Sequence, residues 1–174
     1  VAPANAAALQ QYFGALPVPQ VVALDVTQAD SWEAALAATV ARHGALDIVV
    51  NNAGVVMRDA HPFDEIPLQE WQRVFSINVD GAFLGLQAAI RVMKQSAHGG
   101  NVVNLGSVAS QVGSKDAGAY GASKAAVTNM TKQAALSAAR LGYQVRVNAV
   151  HPGYVWTPLI ESKLSQQFGR LEAA

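Results

Sequence analysis

Short apolar runs alternate with longer helical segments along this chain. Four runs of four to six residues are rich in valine: residues 21–24 (VVAL), 46–50 (LDIVV), 101–105 (NVVNL) and 145–150 (VRVNAV). Between them lie three longer stretches rich in Ala, Leu, Gln and Lys, at residues 31–43, 67–95 and 119–141. Short Val-rich runs favour buried strands, and the longer stretches favour helices. The alternation therefore predicts right-handed βαβ units on a parallel sheet, which is an α/β fold.

Small residues mark the ends of the predicted helices. Asp30 or Ser31 can cap the first helix, and Gly44 and Gly142 follow two of the helical stretches as C-terminal stops. No internal repeat, linker or low-complexity tract interrupts the pattern. We therefore interpret residues 1–174 as a single domain.

Composition and charge narrow the function classes. The chain has 12 basic and 12 acidic residues, so its charge pattern does not favour binding to nucleic acid or to an anionic membrane. Only 14% of the residues are charged, which favours a homotetramer or homodimer whose subunits cover apolar surface. There is no cysteine, so disulfides and a thiol nucleophile are excluded. Because apolar stretches end well before about 18 residues and no signal-peptide pattern is present, we expect a cytoplasmic protein.

Three side chains suited to proton transfer fall close together in the predicted fold. Tyr120 and Lys124 are four residues apart in a helical stretch, and such neighbours share a helix face at about 5–6 Å between Cβ atoms. An ammonium group at that distance can stabilise a phenolate, which makes Tyr120 a candidate general acid/base. Ser107 lies upstream, and its hydroxyl can hold a carbonyl or alcohol oxygen.

Further motifs occur around these residues in a characteristic order. NNAG occupies residues 51–54, Asn78 lies in FSINV at residues 75–79, HPG occupies residues 151–153 and TP residues 157–158. In this order and at these spacings, the set resembles the short-chain dehydrogenase/reductase family from about residue 25 to residue 158. The resemblance implies a Rossmann-like, doubly wound parallel sheet that binds a nicotinamide dinucleotide.

The resemblance implies a catalytic set of Asn78, Ser107, Tyr120 and Lys124. Ser107 and Tyr120 are expected to hold the substrate carbonyl, and Tyr120 to supply the proton while hydride passes from the nicotinamide. Lys124 is expected to bond the nicotinamide ribose and to favour the phenolate of Tyr120. Asn78 is expected to bend its helix and to bind a water through its main-chain carbonyl, which completes a proton relay.

The resemblance also implies contacts with the cofactor. Asp25 is expected to accept a bond from the adenine amino group, although a helix-capping role for Asp25 or Thr27 is the alternative. The other expected contacts, besides Tyr120 and Lys124, are made by Val26, Asn52, Ala53, Gly54, Pro152, Gly153, Val155 and Thr157. Tyr154 and Trp156 flank the turn beside the nicotinamide, where they line a substrate pocket or serve packing.

No metal site is expected from the sequence. The four histidines, His43, His61, His98 and His151, are scattered without the spacing of metal ligands, so solvated or capping roles are favoured.

Two parts of the implied fold have no counterpart in the sequence. A dinucleotide-binding sheet opens with a strand, a Gly-rich turn and a helix, but none of the 14 glycines forms such a cluster. The family's last strand is not found after residue 158 either. We therefore expect a partial domain from a longer protein, and expect residues 1–174 alone neither to fold stably nor to bind a dinucleotide. A short paralogue without a cofactor site is the alternative.

The branch of the family suggests a substrate class. Residues 136–159 look most like the bacterial hydroxysteroid and secondary-alcohol dehydrogenases, which implies an NAD(P)-dependent enzyme that interconverts a bulky, apolar secondary alcohol and its ketone. A 3-oxoacyl-carrier-protein reductase shares the catalytic residues and is the alternative enzyme, while a catalytically idle interaction subunit is the alternative of another class. The branch favours NAD, but the side chain that separates NAD from NADP would lie at or before Val1, so NADP stays open.

Overall fold

The structure is a computed structural model that describes residues 21–115 and 117–155. In these residues three strands, β1 (Ile48–Asn51), β2 (Gly100–Leu105) and β3 (Val145–Val150), form one parallel sheet in the order β1-β2-β3. The helices are α1 (Ala29–His43), α2 (Leu68–Phe75), α3 (Gly81–Met93) and α4 (Gly118–Arg140), and a π-helical segment (Ser76–Asp80) joins α2 to α3. The predicted α/β fold with a parallel sheet is confirmed.

One face of the sheet and the apolar sides of three helices form the core. Val49, Val102 and Val147 lie side by side in neighbouring strands and are buried. Alternate residues of a strand point to the same face, so the alternation in each strand decides which side chains meet the helices. Helices α1, α3 and α4 cover this face with side chains that include Trp32, Leu36, Leu86, Ala89, Met93 and Ala138.

The opposite face of the sheet carries apolar side chains that are exposed. Ile48, Val50 and Val150 are each more than half exposed. A doubly wound sheet has helices on both faces. The described residues contain the helices of one face only.

The first apolar run does not join the sheet. Residues 21–24 are predicted as a strand, but no strand is formed there. Among the described residues β1 is an edge strand that pairs with β2 alone. A strand persists where a neighbour satisfies its backbone N–H and C=O groups, and among the described residues no strand lies beside residues 21–24. The prediction of a strand is wrong for this reason.

The predicted helix ends agree with the structure in part. Gly44 and Gly142 have φ of 79° and 69° and follow the ends of α1 and α4, so both predicted stops are confirmed. The predicted cap is wrong, because Gln28 precedes α1 and makes no side-chain capping bond. The Ser31 hydroxyl instead accepts a hydrogen bond from the Asp25 N–H at 2.9 Å, which holds the turn before the helix.

The predicted helix over residues 67–95 is not uniform. In the π segment the Gly81 N–H donates to the Ser76 carbonyl, five residues back. Such a turn widens the helix by one residue and is frequent at functional sites. Asn78, the residue expected to bend the helix, lies in the middle of this segment.

Candidate active site

The candidate catalytic residues lie near the carboxyl ends of the strands. The Asn-Ala-Gly turn follows β1, Ser107 follows β2, and the Pro-Gly turn follows β3. Tyr120 and Lys124 lie in the first two turns of α4, and Asn78 lies in the π segment. Parallel strands end at a common edge of the sheet, and open α/β sheets bind ligands outside that edge.

Lys124 is the buried cation of this site. It is 5% exposed, and its Nζ donates to the Leu105 carbonyl oxygen at 2.6 Å. Nζ also lies 5.7 Å from the centre of the Tyr120 ring, within the range of a cation–π interaction. Burial lowers the pKa of Lys124 below its ordinary value. The ammonium group is therefore tied to the end of β2 and contacts the face of the candidate acid/base.

Ser107 precedes a 3₁₀ turn, Val108–Ser110, just beyond β2. Its Oγ accepts a hydrogen bond from the Ala109 N–H at 3.2 Å, so the hydroxyl hydrogen can be donated to another group. Helix α4 packs directly on this turn, since a Cβ on Gly121 would lie 3.2 Å from the Ala109 carbonyl oxygen. Glycine at this position lets the helix that carries Tyr120 approach the turn that begins at Ser107.

Asn78 is buried and holds the chain that follows Gly54. Its Oδ1 accepts from the Val55 N–H at 2.8 Å, and its Nδ2 donates to the Val55 carbonyl at 2.9 Å and to the Ser123 hydroxyl at 2.9 Å. The Ser123 hydroxyl in turn donates to the Tyr120 carbonyl at 2.7 Å. The Asn78 side chain thus connects the π segment, the loop after β1 and the first turns of α4. That the main-chain carbonyl of Asn78 binds a water stays a prediction.

A chain of buried polar side chains that was not predicted from the sequence lies behind the site. Asn51 Nδ2 donates to Asn104 Oδ1 on β2 at 2.8 Å. Asn104 Nδ2 donates to Thr131 Oγ1 at 2.8 Å, and that hydroxyl donates to the Val127 carbonyl at 2.8 Å. Buried polar groups need partners. The asparagine inside a Val-rich run was the signal that could have identified this network.

A small cavity lies where the adenine contacts are predicted. Its volume is about 140 Å³, and it is lined by Leu24, Val26, Trp32, Val50, Asn51, Asn52, Ala53, Gly81 and Ala82. Three predicted contacts, Val26, Asn52 and Ala53, therefore share one cavity.

Asp25 lies next to this cavity in sequence and holds a turn. Its Oδ1 accepts hydrogen bonds from the Thr27 hydroxyl at 2.8 Å and from the Thr27 N–H at 2.9 Å, and these bonds lower the pKa of Asp25. Asp25 therefore caps a local turn before α1, and the alternative helix-capping role is not observed, because Gln28 precedes the helix and its side chain makes no capping bond. Both bonds use Oδ1, so Oδ2 can accept a bond from a ligand, and the adenine contact stays a prediction.

Because Gly54 has no side chain, it leaves a space beside the buried side chains of Asn78 and Lys124, which we call the cradle. A Cβ at this position would lie 3.3 Å from Asn78 Oδ1 and 3.5 Å from Lys124 Nζ. Without a side chain there, a ligand hydroxyl can reach the ammonium group. The partly apolar cavity fits the adenine ring of a nicotinamide dinucleotide. The cradle at Gly54, next to the Lys124 ammonium group, fits ribose hydroxyls of the same cofactor.

The last group of predicted contacts is only partly described. The Pro152 carbonyl accepts from the Val108 N–H at 3.1 Å, which ties its turn to the end of β2. Tyr154 is 87% exposed, so the described residues do not enclose it. Trp156 and Thr157 lie outside the described residues.

Helix α2 carries an ion pair that was not predicted from the sequence. Arg73 Nη2 and Glu70 Oε1 are 2.7 Å apart, and both side chains form hydrogen bonds to the loop after β1. Arg73 Nη2 donates to the Val56 carbonyl at 2.7 Å, while Glu70 Oε1 accepts from the Arg58 N–H at 2.6 Å. The hydrogen bond from Arg73 holds the pKa of Glu70 down to about 2. The i, i+3 spacing of Glu70 and Arg73 could have predicted the ion pair. Its hydrogen bonds to the loop after β1 could not be predicted, because they are tertiary contacts.

Within residues 21–115 and 117–155, no three His, Asp or Glu side chains are close enough together to hold a metal ion. None of the helices in this part of the chain is both long enough and apolar enough to cross a bilayer.

Known proteins resemble this chain over most of its length. The family model of the short chain dehydrogenases matches residues 3–167. The chain is 44% identical over 151 residues to a trans-4-hydroxycyclohexanecarboxylate dehydrogenase of Sinomonas cyclohexanicum, a match that covers 86% of the chain and 55% of the relative. It is 38% identical over 148 residues to an NADP-dependent (R)-specific alcohol dehydrogenase of Lentilactobacillus kefiri, with 85% and 58% covered. A 3-beta-hydroxysteroid dehydrogenase of Comamonas testosteroni is 36% identical over 140 residues, with 80% and 54% covered.

Solved structures share the fold. The crystal structure of levodione reductase matches with a TM-score of 0.82 and 34% identity, covering 94% of this chain and 62% of that one. The structure of an NAD⁺-bound xylitol dehydrogenase matches with a TM-score of 0.77 and 35% identity, covering 84% and 55%. The chain spans about half the length of the curated relatives it matches.

Proposed function

Because this chain belongs to the short-chain dehydrogenase family, we propose that its protein is an NAD(P)-dependent oxidoreductase that interconverts a secondary alcohol and a ketone. The observation that carries the proposal is the buried Lys124, held against the Tyr120 ring at the sheet edge where Ser107 also lies. Burying a charged group is costly. A buried cation beside a phenol, in a site with a ligand cradle, therefore favours a catalytic role.

Ser107 and Tyr120 hold the substrate oxygen in this proposal. The Ser107 hydroxyl donates its hydrogen to that oxygen, while its Oγ accepts the hydrogen bond from the Ala109 N–H. The Tyr120 hydroxyl gives its proton to the oxygen in reduction and takes it back in oxidation. The nicotinamide, when bound, supplies or accepts the hydride at the carbon that carries this oxygen.

Lys124 supports this proton transfer in two ways. Its positive charge lies 5.7 Å from the centre of the Tyr120 ring, where it stabilises the negative charge left on the phenol as the proton is transferred. Its Nζ faces the cradle at Gly54, where a ribose hydroxyl can accept a hydrogen bond. Asn78 keeps the cradle in place through its bonds to the Val55 peptide.

We assign NAD as the cofactor in this proposal, on the resemblance to the hydroxysteroid branch. One solved structure that shares the fold is NAD⁺-bound, while one relative is named NADP-dependent, so both cofactors occur among the similar proteins. The two cofactors differ only at the adenosine ribose, which is remote from the reacting atoms.

The substrate class we propose is a ring-containing or otherwise bulky, apolar secondary alcohol. The names of two relatives denote hydroxylated ring compounds, a hydroxycyclohexanecarboxylate and a hydroxysteroid. No observation on the described residues favours a carrier-protein reductase. An idle interaction subunit would have no use for a buried lysine beside a tyrosine.

The test is an activity assay on the full-length protein. Purified protein is mixed with NAD or NADP and a panel of cyclic, steroidal and linear secondary alcohols, and formation of the reduced nicotinamide is followed by absorbance. We expect turnover of ring alcohols, and we expect Tyr120→Phe to lower kcat by about 10²–10⁴-fold while the cofactor Kd stays nearly unchanged. The proposal fails if no alcohol is oxidised and no ketone reduced with either cofactor. It also fails if Tyr120→Phe keeps kcat within about tenfold of the wild type.

A further inference from the structure

The imidazole of His151 contacts the main chain of Ser107. His151 directly follows β3, and its Nδ1 lies 3.2 Å from the Ser107 carbonyl oxygen and 3.1 Å from the Ser110 hydroxyl. The Ser110 hydroxyl itself donates to the Ser107 carbonyl at 2.6 Å. The Ser110 N–H also donates to this oxygen, at 3.0 Å, so three polar groups from two different strand ends meet at the Ser107 carbonyl.

These contacts decide which ring nitrogen carries the hydrogen. The Ser107 carbonyl can only accept, and the single hydrogen of the Ser110 hydroxyl already points to that carbonyl. Nδ1 thus faces two acceptors, an arrangement that favours Nδ1 as the donor. We therefore take His151 in its Nδ1–H form.

The ring has a place made for it at the end of β2. A Cβ on Gly106 would lie 2.6 Å from His151 Nδ1 and 2.7 Å from its Cε1, which is too close for any side chain. Backbone hydrogen bonds hold both flanks, from the Gly106 N–H to the Val150 carbonyl at 2.8 Å and from the Val108 N–H to the Pro152 carbonyl at 3.1 Å. The imidazole therefore fills a gap that glycine leaves open between two strand ends.

We propose that His151 is a positioning residue for Ser107: its Nδ1–H, together with the Ser110 hydroxyl, holds the Ser107 carbonyl and so fixes the direction of the Ser107 hydroxyl. Holding the carbonyl fixes the peptide plane that follows Ser107, and with it the path to the Ala109 N–H that donates to Ser107 Oγ. The catalytic consequence rests on the proposed function, in which Ser107 donates to the substrate oxygen.

The first experiment reads the tautomer and needs no activity. Full-length protein labelled with ¹⁵N-histidine is studied by long-range ¹H–¹⁵N correlation at a pH where the imidazole is neutral. The His151 signals are identified by their loss in His151→Asn. The Nδ1–H form supports the proposal, and an Nε2–H form overturns it, whether or not the protein proves to be a dehydrogenase.

The second experiment compares two amides at position 151. The amide nitrogen of asparagine is two bonds from Cβ, as Nδ1 is in histidine, whereas that of glutamine is three bonds from Cβ, as Nε2 is. His151→Asn keeps a donor near the Ser107 carbonyl, and His151→Gln moves it away. We expect kcat to fall about 10–100-fold in His151→Gln with the KM for the cofactor unchanged, and to stay within about threefold in His151→Asn.

The outcomes of the kinetic comparison are separable. Equal losses in both variants would show that the ring's volume matters rather than its donor, which overturns the proposal, as does full activity in both. Unfolding curves by circular dichroism check that both variants fold, and the tautomer measurement decides the matter if one does not. Absence of any turnover in the wild type would refute the proposed function and leave the tautomer result standing.

Discussion

Replacing Asn78 by alanine removes the side chain that holds the Val55 peptide. Three hydrogen bonds of 2.8–2.9 Å are lost, two of them to the N–H and the carbonyl of Val55. Val55 is partly buried, and a buried polar group without a partner costs about 1–3 kcal/mol. With two such groups released, we expect the free energy of unfolding of the full-length protein to fall by about 2–6 kcal/mol.

Ser123→Ala is the matched control for this prediction. It removes the bond from Asn78 Nδ2 to Ser123 and the bond from Ser123 to the Tyr120 carbonyl, but it leaves both bonds to Val55 in place. We expect a loss of about 1 kcal/mol for this variant. The difference between the variants therefore isolates the hold on the Val55 peptide.

Urea unfolding followed by circular dichroism at one protein concentration measures both changes. We expect Asn78→Ala to lower activity as well as stability, because it releases the loop that carries Gly54, and Gly54 lies beside Lys124. We expect Ser123→Ala to leave activity nearly unchanged. If Asn78→Ala lost no more stability than Ser123→Ala, water would be satisfying the Val55 peptide, and the reasoning from the hydrogen bonds would be refuted.

Three further predictions concern Lys124, Glu70 and the assembly. Lys124→Ala should lower kcat and raise the KM for the cofactor, each by about tenfold or more, and a change in kcat alone would contradict its place in the cradle. Glu70→Gln should cost about 1 kcal/mol at neutral pH. Since the pKa of Glu70 is lowered from 4.5 to about 2, its contribution is complete above pH 4.5 and lost towards pH 2, so urea midpoints of wild type and variant should converge over that range; a constant difference would contradict the ion pair. We expect a homotetramer or homodimer, because Phe83 and Leu136 are exposed and a groove of about 370 Å³ lies between α3 and α4. A stable monomer in light scattering at micromolar concentration would contradict this prediction.

The sequence was sufficient for the fold class and for the edge of the sheet at which the site lies. Strand and helix periods are local properties of the chain, and parallel strands place the turns after Asn51, Leu105 and Val150 at one edge. The i, i+4 spacing of Tyr120 and Lys124 was likewise enough to predict that they meet, since a helix brings such residues together whatever surrounds it. Their catalytic roles stay predictions.

Tertiary structure decided the features that depend on a partner distant in the chain. Residues 21–24 have the composition of a strand, but a strand needs a neighbour, and composition does not show whether one is present. The bonds from Asn78 to the Val55 peptide and from His151 to the Ser107 carbonyl join residues 23 and 44 positions apart. No local pattern encodes such contacts, because they exist only when the packed strands and helices bring a donor within hydrogen-bonding distance of an acceptor.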